Sequence, residues 1–252
     1  MGKYLNIGNA GFEAVRKGIY VDKTDMISYI NGVLGTTDKM MCVSRPRRFG
    51  KSFAAKMLCA YYDKSCDSKE LFQGLKISKD KNFETYLNKY LVIYLDITLF
   101  TSRTSDINTV VQDINREVTT EITHVFSNIE AGKDLAETLL HVTEKTGEKF
   151  IMIIDEWDAV FREARENTKL QKEYVTFLRS LFKSSWTDIV FEAAYLTGIL
   201  PIKKYGTQSA MTDFREYSML APKKLAEYVG FTEPEVRNLC NQYHMDFEKM
   251  KK

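Results

Sequence analysis

The sequence predicts an α/β fold in which a mainly parallel central sheet is covered by helices on both faces. Short apolar segments alternate along the 252 residues with longer segments of helical periodicity, as in strands joined by helical crossovers. The short segments are mostly apolar rather than alternately polar, which is typical of strands buried on both faces. The four clearest strand candidates are residues 40–43, 91–97, 150–154 and 189–196.

Helical patterns fill the intervals between these strands. Asp134 is placed to cap a helix that ends near Gly147, immediately before the third strand. A further strand candidate, residues 217–220, is followed by Pro222, which would end it. Two other segments repeat apolar residues at the spacing of one helix face: Ile107, Val110, Val111, Ile114 and Val118 in the first, and Tyr174, Phe177, Leu178 and Leu181 in the second.

The pattern divides the chain into three parts. The N-terminal part would pack on the core through an apolar helix face formed by Met26, Ile27 and Ile30. The C-terminal part is helical, because Thr232 and Glu235 have the spacing of a capping box. The predicted parts are a helical lead-in over residues 1–36, a core over residues 37–221, and a small helical lid or subdomain that begins within residues 222–252.

Composition excludes several classes of protein. A chain that is 44% hydrophobic and 28% charged is an ordinary globular protein, and no run approaches the 18 apolar residues that span a bilayer. The four cysteines never occur as CxxC and the three histidines are scattered. This usage favours neither a zinc site nor a disulfide framework and fits a reducing cytoplasm. The net charge of +2 argues neither for nor against nucleic acid as a partner.

The segment after the first strand has the composition of a phosphate-binding loop. Residues 44–52 read Ser-Arg-Pro-Arg-Arg-Phe-Gly-Lys-Ser, and the backbone N–H groups at the start of the following helix present donors and a positive dipole end to phosphate. Gly50 permits close approach of the backbone, Lys51 reaches the β- and γ-phosphates, and the Ser52 hydroxyl can bind magnesium. The predicted nucleotide contacts are Pro46, Arg47, Arg48, Phe49, Gly50, Lys51, Ser52 and Phe53.

This loop departs from the usual pattern at one position. The GxxxxGK[ST] motif would place glycine where the chain has Arg45, which is tolerated if that position does not need a positive φ angle. Arg45, Arg47 and Arg48 either add positive charge near the nucleotide or serve a partner or a neighbouring subunit. Alternatively, Gly-Lys-Ser is a chance tripeptide that begins a helix.

A second motif supports the nucleotide interpretation. Residues 150–154 are apolar and lead directly into Asp155 and Glu156, as in a central strand that ends at the functional edge of a sheet. Asp155 would hold the magnesium shell, and Glu156 would orient and deprotonate an attacking water. The order of the two motifs along the chain predicts ATP and Mg²⁺ as ligands. The alternative is a strand that ends in a solvated acidic turn.

Three further residues near the acidic pair have predicted roles. Asp158 either supports the metal site or caps the next helix, and the cap is favoured slightly. Trp157 is expected to pack in the core. Thr197 ends the following strand before Gly198, where it serves either as a sensor that contacts the γ-phosphate or the water, or as a strand terminator.

With these residues in view, the chain resembles the predicted AAA-ATPase-like family of bacteria and archaea, whose ATPase region is often joined to a C-terminal nuclease-like domain of the PD-(D/E)XK type. The resemblance extends over nearly the whole chain, and the loop from Arg45 to Ser52 is its most specific mark. Its other marks are Tyr-Val-Asp-Lys-Thr at residues 20–24, the strand ending in Asp155 and Glu156, Leu-Thr-Gly at residues 196–198, and Gly-Phe-Thr-Glu at residues 230–233.

The resemblance implies a P-loop NTPase three-layer sandwich of the additional-strand type, with a helical lid. It also implies that Tyr20 or Asp22 helps to hold the base or the P-loop, and that Arg45 is a family variation. In the alternative reading Tyr20 and Val21 are core residues and Thr24 caps the next helix. Nucleic acid is a candidate partner by family analogy alone. No Asp followed by a strand-borne Glu-x-Lys occurs after position 222, so nuclease activity is not carried over to this sequence.

These features predict a magnesium-dependent ATP hydrolase whose cycle drives or gates a conformational change. The expected catalytic residues are Lys51, Glu156 and Thr197, and the expected metal ligands are Ser52 and Asp155. The alternative is a nucleotide-dependent switch or binding module with little or no turnover. Assembly into an oligomer, with an arginine acting across subunits, stays open.

Overall fold

A parallel sheet organises the chain. The computed structural model describes residues 2–202, 211–221, 223–225 and 227–250. The strands in these residues are β1 (Met40–Ser44), β2 (Leu91–Asp96), β3 (Phe150–Asp155), β4 (Phe191–Gly198) and β5 (Arg215–Tyr217). They lie in the order β2-β3-β4-β1-β5, and every neighbouring pair is parallel. The predicted α/β fold with a parallel sheet is therefore confirmed.

The strand order fixes where the motifs meet. β4 lies between β1, which leads into the phosphate loop, and β3, which ends in the acidic pair. This is the additional strand that the sequence predicts. Ser44 pairs with Gly198, and Ile154 pairs with Leu196. Because parallel strands share a direction, their carboxyl ends bring the three motifs to one edge of the sheet.

Two predicted strand bounds are wrong. Residues 189–190 belong to a short helix, and β4 begins only at Phe191. The last strand is Arg215–Tyr217 rather than residues 217–220, because its pairing with β1 ends where Val43 meets Tyr217. Met219 is 55% and Leu220 is 99% exposed, so the apolar residues after Tyr217 lie at the surface. Pro222, the predicted strand end, lies outside the described residues.

Helices cover both faces of the sheet, and successive strand residues alternate between two cores. On β3, Ile153 packs in one core with the N-terminal helices and the helix after the phosphate loop, and Ile154 packs in the other core with the later helices. The helices of the described residues are α1 (Ala10–Arg16), α2 (Asp25–Asn31), α3 (Lys51–Tyr62), α4 (Lys69–Phe72), α5 (Phe83–Tyr86), α6 (Ile97–Arg103), α7 (Val110–Val125), α8 (Leu135–Thr146), α9 (Ala159–Glu163), α10 (Thr168–Phe182), α11 (Thr187–Val190), α12 (Glu233–Gln242) and α13 (Phe247–Met250).

The predicted helix signals agree with the structure. The Asp134 carboxylate accepts the backbone N–H of Glu137 at the start of α8, and Gly147 ends that helix with a left-handed φ of 72°. Thr232 and Glu235 form the predicted capping box of α12. Short 3₁₀ turns at Lys76–Lys79, Ile107–Thr109 and Lys223–Leu225 complete the helical segments.

The N-terminal segment is only partly helical. Before α1, Leu5 forms an antiparallel bridge with Ile93 of β2, and the N–H of Asn6 donates to the carbonyl of Val92. These contacts cover the free edge of β2, which would otherwise expose unpaired backbone groups. α2 then buries Ile27 and its neighbours as predicted.

No helix in the described part of the chain combines the length and the apolar character needed to cross a bilayer.

Candidate functional site

The phosphate loop connects β1 to α3 and ends at a helix N-terminus. Gly50 stands immediately before α3 with φ of 77°, a left-handed conformation that favours glycine. Lys51 begins the helix, and its side chain is almost fully buried. Its Nζ donates to the carbonyl of Pro46 at 3.1 Å. The loop therefore closes over its own lysine, and the lysine head lies beside the helix N-terminus.

Arg45 has a structural role. Its backbone does not adopt a positive φ, so the position has no need of glycine. Its side chain is buried, and Nη1 donates to the carbonyls of Ser44 at 3.0 Å and Tyr217 at 2.8 Å. Arg45 therefore ties the end of β1 to β5. Burial and these two bonds keep its guanidinium from a partner or a neighbouring subunit. That its charge acts near a nucleotide stays a prediction.

The remaining loop residues are open to a ligand. Arg47 and Arg48 are exposed, and both line a cavity at the start of α3. Arg48 has φ of 68°, which is uncommon for a residue with a Cβ. Such backbone strain concentrates at functional sites, where the surrounding structure holds it in place.

Asp155 lies at the end of β3 and is held by three hydrogen bonds. The hydroxyl of Thr197 donates to Oδ1 at 2.5 Å, the Glu156 N–H donates to Oδ1 at 3.1 Å, and the Tyr94 hydroxyl donates to Oδ2 at 3.3 Å. Asp155 is 2% exposed and Thr197 is fully buried. Burial, with the charge of Asp155 adding to it, raises the pKa of Tyr94 well above its ordinary value, so this phenol stays a donor. Thr197 thus orients Asp155.

Glu156 follows in a left-handed conformation, with φ of 51°. Its Oε1 lies 3.5 Å from Lys51 Nζ, and its Oε2 accepts a hydrogen bond from Arg162 Nη2 at 2.6 Å. Arg162 lies on α9, and no motif in the sequence indicates it. The carboxylate therefore connects the phosphate loop to the helix after β3.

Asp158 supports this arrangement in a way that the sequence did not indicate. It precedes α9, yet its side chain forms no cap hydrogen bond there. Its Oδ2 instead accepts the backbone N–H groups of Ile199 at 3.1 Å and Leu200 at 2.9 Å and lies 3.3 Å from Arg162 Nε. The predicted helix cap is wrong, because the buried carboxylate holds the backbone after β4. Trp157 is fully buried, as predicted.

A cavity of about 430 Å³ opens at the N-terminus of α3. Its charged lining carries more positive than negative groups. Four cationic side chains, Lys23, Arg47, Arg48 and Lys51, line it together with one carboxylate among the described lining residues, Glu156. The predicted site residues that line it are Tyr20, Arg47, Arg48, Phe49, Gly50, Lys51, Ser52, Phe53 and Glu156. Pro46, Asp155 and Thr197 lie beside it and act through the bonds given above.

Apolar residues from the N-terminal and the C-terminal segments of the chain also line the cavity. Ile19 and Val21 contribute from the segment before α2, and Tyr228 and Phe231 contribute from the segment before α12. Ile19 and Phe231 are largely exposed, which is unusual for apolar side chains that face one opening. Composition alone did not indicate these residues, although the Phe231 segment belongs to the family marks.

The Tyr-Val-Asp-Lys-Thr segment divides between the cavity and the fold. The Tyr20 hydroxyl lies 3.8 Å from the sulfur of Met57, and burial raises the pKa of that phenol well above its ordinary value. Asp22 instead accepts from Thr24 and from the Lys76 N–H at 2.7 Å. The Thr24 side chain does not cap α2; its hydroxyl donates to Asp22 at 2.7 Å and accepts the Ile77 N–H at 3.1 Å.

Two contacts join the phosphate loop and the N-terminal segment to the C-terminal segment. Gly230 has φ of 98°, and a Cβ there would lie 2.9 Å from Cδ1 of Phe49, so the two pack closely. Lys23 Nζ lies 2.6 Å from the Glu235 carboxylate and donates to the carbonyl of Glu227 at 2.5 Å. The segment before α12 therefore closes one side of the cavity.

The donor chemistry fits Mg²⁺. Ser52 offers a hydroxyl and Asp155 a carboxylate, both of which are hard oxygen ligands. The described residues contain no group of three or more His, Cys, Asp or Glu side chains that could hold a metal by themselves.

A family model described as a predicted AAA-ATPase matches residues 6–207 of the chain. The match includes the phosphate loop, the acidic pair and Thr197, and it stops before the segment that carries Tyr228 and Phe231. No curated protein matches the chain.

Proposed function

Because the chain belongs to the AAA-ATPase-like family of predicted AAA-ATPases, we propose that it binds Mg-ATP and hydrolyses it to drive or gate a conformational change. One observation carries this proposal. Lys51, at the start of α3, and Glu156, after β3, lie 3.5 Å apart at the inner end of one cavity. A lysine for phosphate and a carboxylate for water are thus brought together from distant parts of the sequence.

Phosphate would bind at the start of α3. The helix N-terminus supplies backbone donors and a positive dipole end, and Lys51 adds a buried charge. Arg47 and Arg48 extend the positive lining outward, where they would attract a polyphosphate. The Lys51–Pro46 bond at 3.1 Å is a neutral-acceptor contact, which a phosphate oxygen can replace with a stronger charge-assisted one.

The base would bind at the apolar end of the cavity. A volume of about 430 Å³ lies in the range typical of small-molecule pockets. Ile19, Tyr20 and Phe231 offer apolar and aromatic surface there, and burial of this exposed surface under a base would stabilise the complex. ATP therefore suits the cavity at both ends.

Hydrolysis would proceed by attack of water on the γ-phosphate. Glu156 is the candidate general base, and Lys51 would stabilise charge on the phosphate oxygens. Ser52 and Asp155 would hold Mg²⁺, which neutralises phosphate charge when bound. Thr197 would act by orienting Asp155 through the 2.5 Å hydrogen bond, and a direct sensor contact with the γ-phosphate stays part of the proposal.

A nucleotide-dependent switch with little turnover is the second candidate. The observation that favours it is that both oxygens of Glu156 face cations, Lys51 at 3.5 Å and Arg162 at 2.6 Å. A carboxylate whose two oxygens are both engaged by cations offers no free oxygen to an attacking water. In either case, the contacts between Phe49 and Gly230 provide a path from the phosphate loop to the C-terminal segment.

Lys51→Ala tests binding. We expect at least a hundredfold loss of ATP affinity, measured by titration with a fluorescent ATP analogue, because the substitution removes the charge-assisted bonds to phosphate, each worth about 1.5–3 kcal/mol. Lys56→Ala is the matched control, since Lys56 lies on the same helix but does not line the cavity. Equal affinities in the two variants would remove Lys51 from the site.

Glu156→Gln tests turnover. We expect ATP affinity to stay within about threefold and the rate of phosphate release to fall by about 10²–10⁴-fold, the usual contribution of a general base. Glu163→Gln, at the exposed end of α9, is the control. If the unaltered protein binds ATP without releasing phosphate, with or without DNA and at every protein concentration, the switch is the correct function.

A further inference from the structure

The two oxygens of Glu156 face opposite directions. Oε1 lies toward Lys51, at the phosphate end of the cavity, and Oε2 accepts the hydrogen bond from Arg162 on α9. Arg162 does not line the cavity. It therefore binds Oε2 on the side of the carboxylate away from the cavity and leaves Oε1, on the cavity side, for a ligand.

Arg162 is itself anchored. Its Nε forms an ion pair at 3.3 Å with Oδ2 of Asp158, a fully buried carboxylate, without a hydrogen bond from that Nε in the described part of the chain, and the Arg162 side chain is only 16% exposed. Asp158 in turn accepts the backbone N–H groups of Ile199 and Leu200. The resulting chain of contacts runs from rigid backbone after β4, through Asp158 and Arg162, to Glu156.

Glu156 needs such an anchor. It lies one residue beyond β3, outside any helix, and its φ of 51° is a conformation that residues with a Cβ rarely adopt. Its side chain has three rotatable bonds, and the Lys51 contact would be lost once phosphate binds that lysine. After that, Arg162 is the remaining cation within bonding distance of Glu156 in the described chain.

We propose that Arg162 is a positioning residue for the general base, and that the Asp158–Arg162 pair holds the Glu156 carboxylate so that Oε1 meets the attacking water. This inference rests on the proposed function. Arg162 meets Glu156 through one charge-assisted bond, from Nη2 to Oε2 at 2.6 Å, and such a bond from a planar guanidinium fixes the direction and the distance of that oxygen. Because a displacement of about 1 Å in a reacting group can cost about a hundredfold in rate, loss of the anchor acts on the chemical step and not on ATP binding.

Arg162→Gln tests the proposal through the split between kcat and KM. We expect kcat to fall by about 10- to 100-fold while KM for ATP stays within about twofold. Arg162→Lys keeps a charge at this position and should recover part of kcat, because a single ammonium can still reach Oε2. Arg116→Gln is the control, since Arg116 forms only an exposed ion pair with Asp113 on α7.

A second comparison separates positioning from a purely structural role. If Arg162 acts through Glu156, Arg162→Gln should change the residual rate of a Glu156→Gln protein by less than about twofold, because residues that act as a unit are not additive. A further tenfold fall in that background would overturn the proposal. So would an unchanged or increased kcat in Arg162→Gln itself, and an increase would show that the pair restrains the base.

A structure of the unaltered protein with Mg²⁺ and a non-hydrolysable ATP analogue gives a test that does not depend on a variant folding. We expect Arg162 Nη2 to stay within 3.5 Å of Glu156 Oε2, close to the present 2.6 Å; separation of the two would overturn the proposal. If Arg162→Gln is no slower although the unaltered protein hydrolyses ATP, only the positioning role fails. If Glu156→Gln hydrolyses ATP at the full rate, the proposed catalytic role of Glu156 fails, and the positioning role fails with it.

Discussion

Thr197→Val isolates the bond that orients Asp155. Valine has nearly the shape of threonine, so the substitution removes the hydroxyl and fills its space with a methyl group. The Thr197 hydroxyl donates to Asp155 Oδ1 at 2.5 Å, and both residues are buried. The remaining donors to Asp155 are the Glu156 N–H and the more distant Tyr94 hydroxyl. No water can take the place of the lost donor, because the new methyl group occupies its site.

The expected cost follows from this geometry. A hydrogen bond to a charged group contributes about 1.5–3 kcal/mol to stability, so the free energy of unfolding should fall by about 2 kcal/mol. With a denaturant slope of about 3 kcal/mol/M in urea, the unfolding midpoint should fall by roughly 0.7 M. Urea titration followed by tryptophan fluorescence measures this shift, and Thr197→Ser should restore most of it because it keeps the hydroxyl.

Thr143→Val is the matched control. Thr143 lies on α8, and its buried hydroxyl has no hydrogen-bond partner in the part of the chain that the structure describes. Replacing a buried hydroxyl that has no partner should leave the free energy of unfolding unchanged or raise it, and any decrease should not exceed about 0.5 kcal/mol. The reasoning would be refuted if the two valine variants lost the same stability.

Two further predictions concern packing and pH. Gly198→Ala would place a Cβ 2.7 Å from Nε1 of the buried Trp157, so we expect thermal denaturation to show a loss of about 1–3 kcal/mol. Gly18→Ala, whose nearest contact would be 3.7 Å, should show no such loss, and similar losses would contradict the steric cause. For Glu117, burial by itself raises the pKa of the carboxyl group, but hydrogen bonds from Lys3 and Tyr4 lower that pKa to about 2. Because the folded pKa is lowered, its stabilisation is complete above about pH 4.5 and is lost as the pH falls toward 2. The stability difference between the unaltered protein and Glu117→Gln, measured by urea titration, should therefore shrink over that range, and a constant difference would exclude this origin.

Much of the fold could be predicted because its signals are local. A strand buried on both faces needs a nearly continuous run of apolar residues, and β1, β2 and β3 have one up to the polar residue with which each ends. Asp134 and Gly147 mark the ends of α8 by their own backbone and side-chain chemistry. The error at β5 has the same origin, since residues 217–220 are apolar in sequence, whereas pairing with β1 selects residues 215–217.

The chemistry of the candidate site was also readable in part. Lys51 and Ser52 at a helix start and the Asp155–Glu156 pair at a strand end are short motifs whose function follows from adjacent residues. Arg45 was not readable in this way. Arg45 stands where the phosphate-loop motif has glycine, which suggested a role in the loop. Only the tertiary structure brings β5 beside it, so that its side chain donates to the Tyr217 carbonyl.

The sequence by itself determined which strands are buried, where α8 begins and ends, where α12 begins, and which residues we propose for the phosphates and the attacking water. The tertiary structure alone decided which side chains hold them. Arg162 pairs with Glu156, Asp158 holds the backbone after β4, and Gly230 packs on Phe49. The physical reason is the separation along the chain over which each kind of interaction acts. Propensity, capping and motif spacing act within a few residues, whereas these contacts join segments that become neighbours only when the parallel sheet brings its carboxyl ends to one edge.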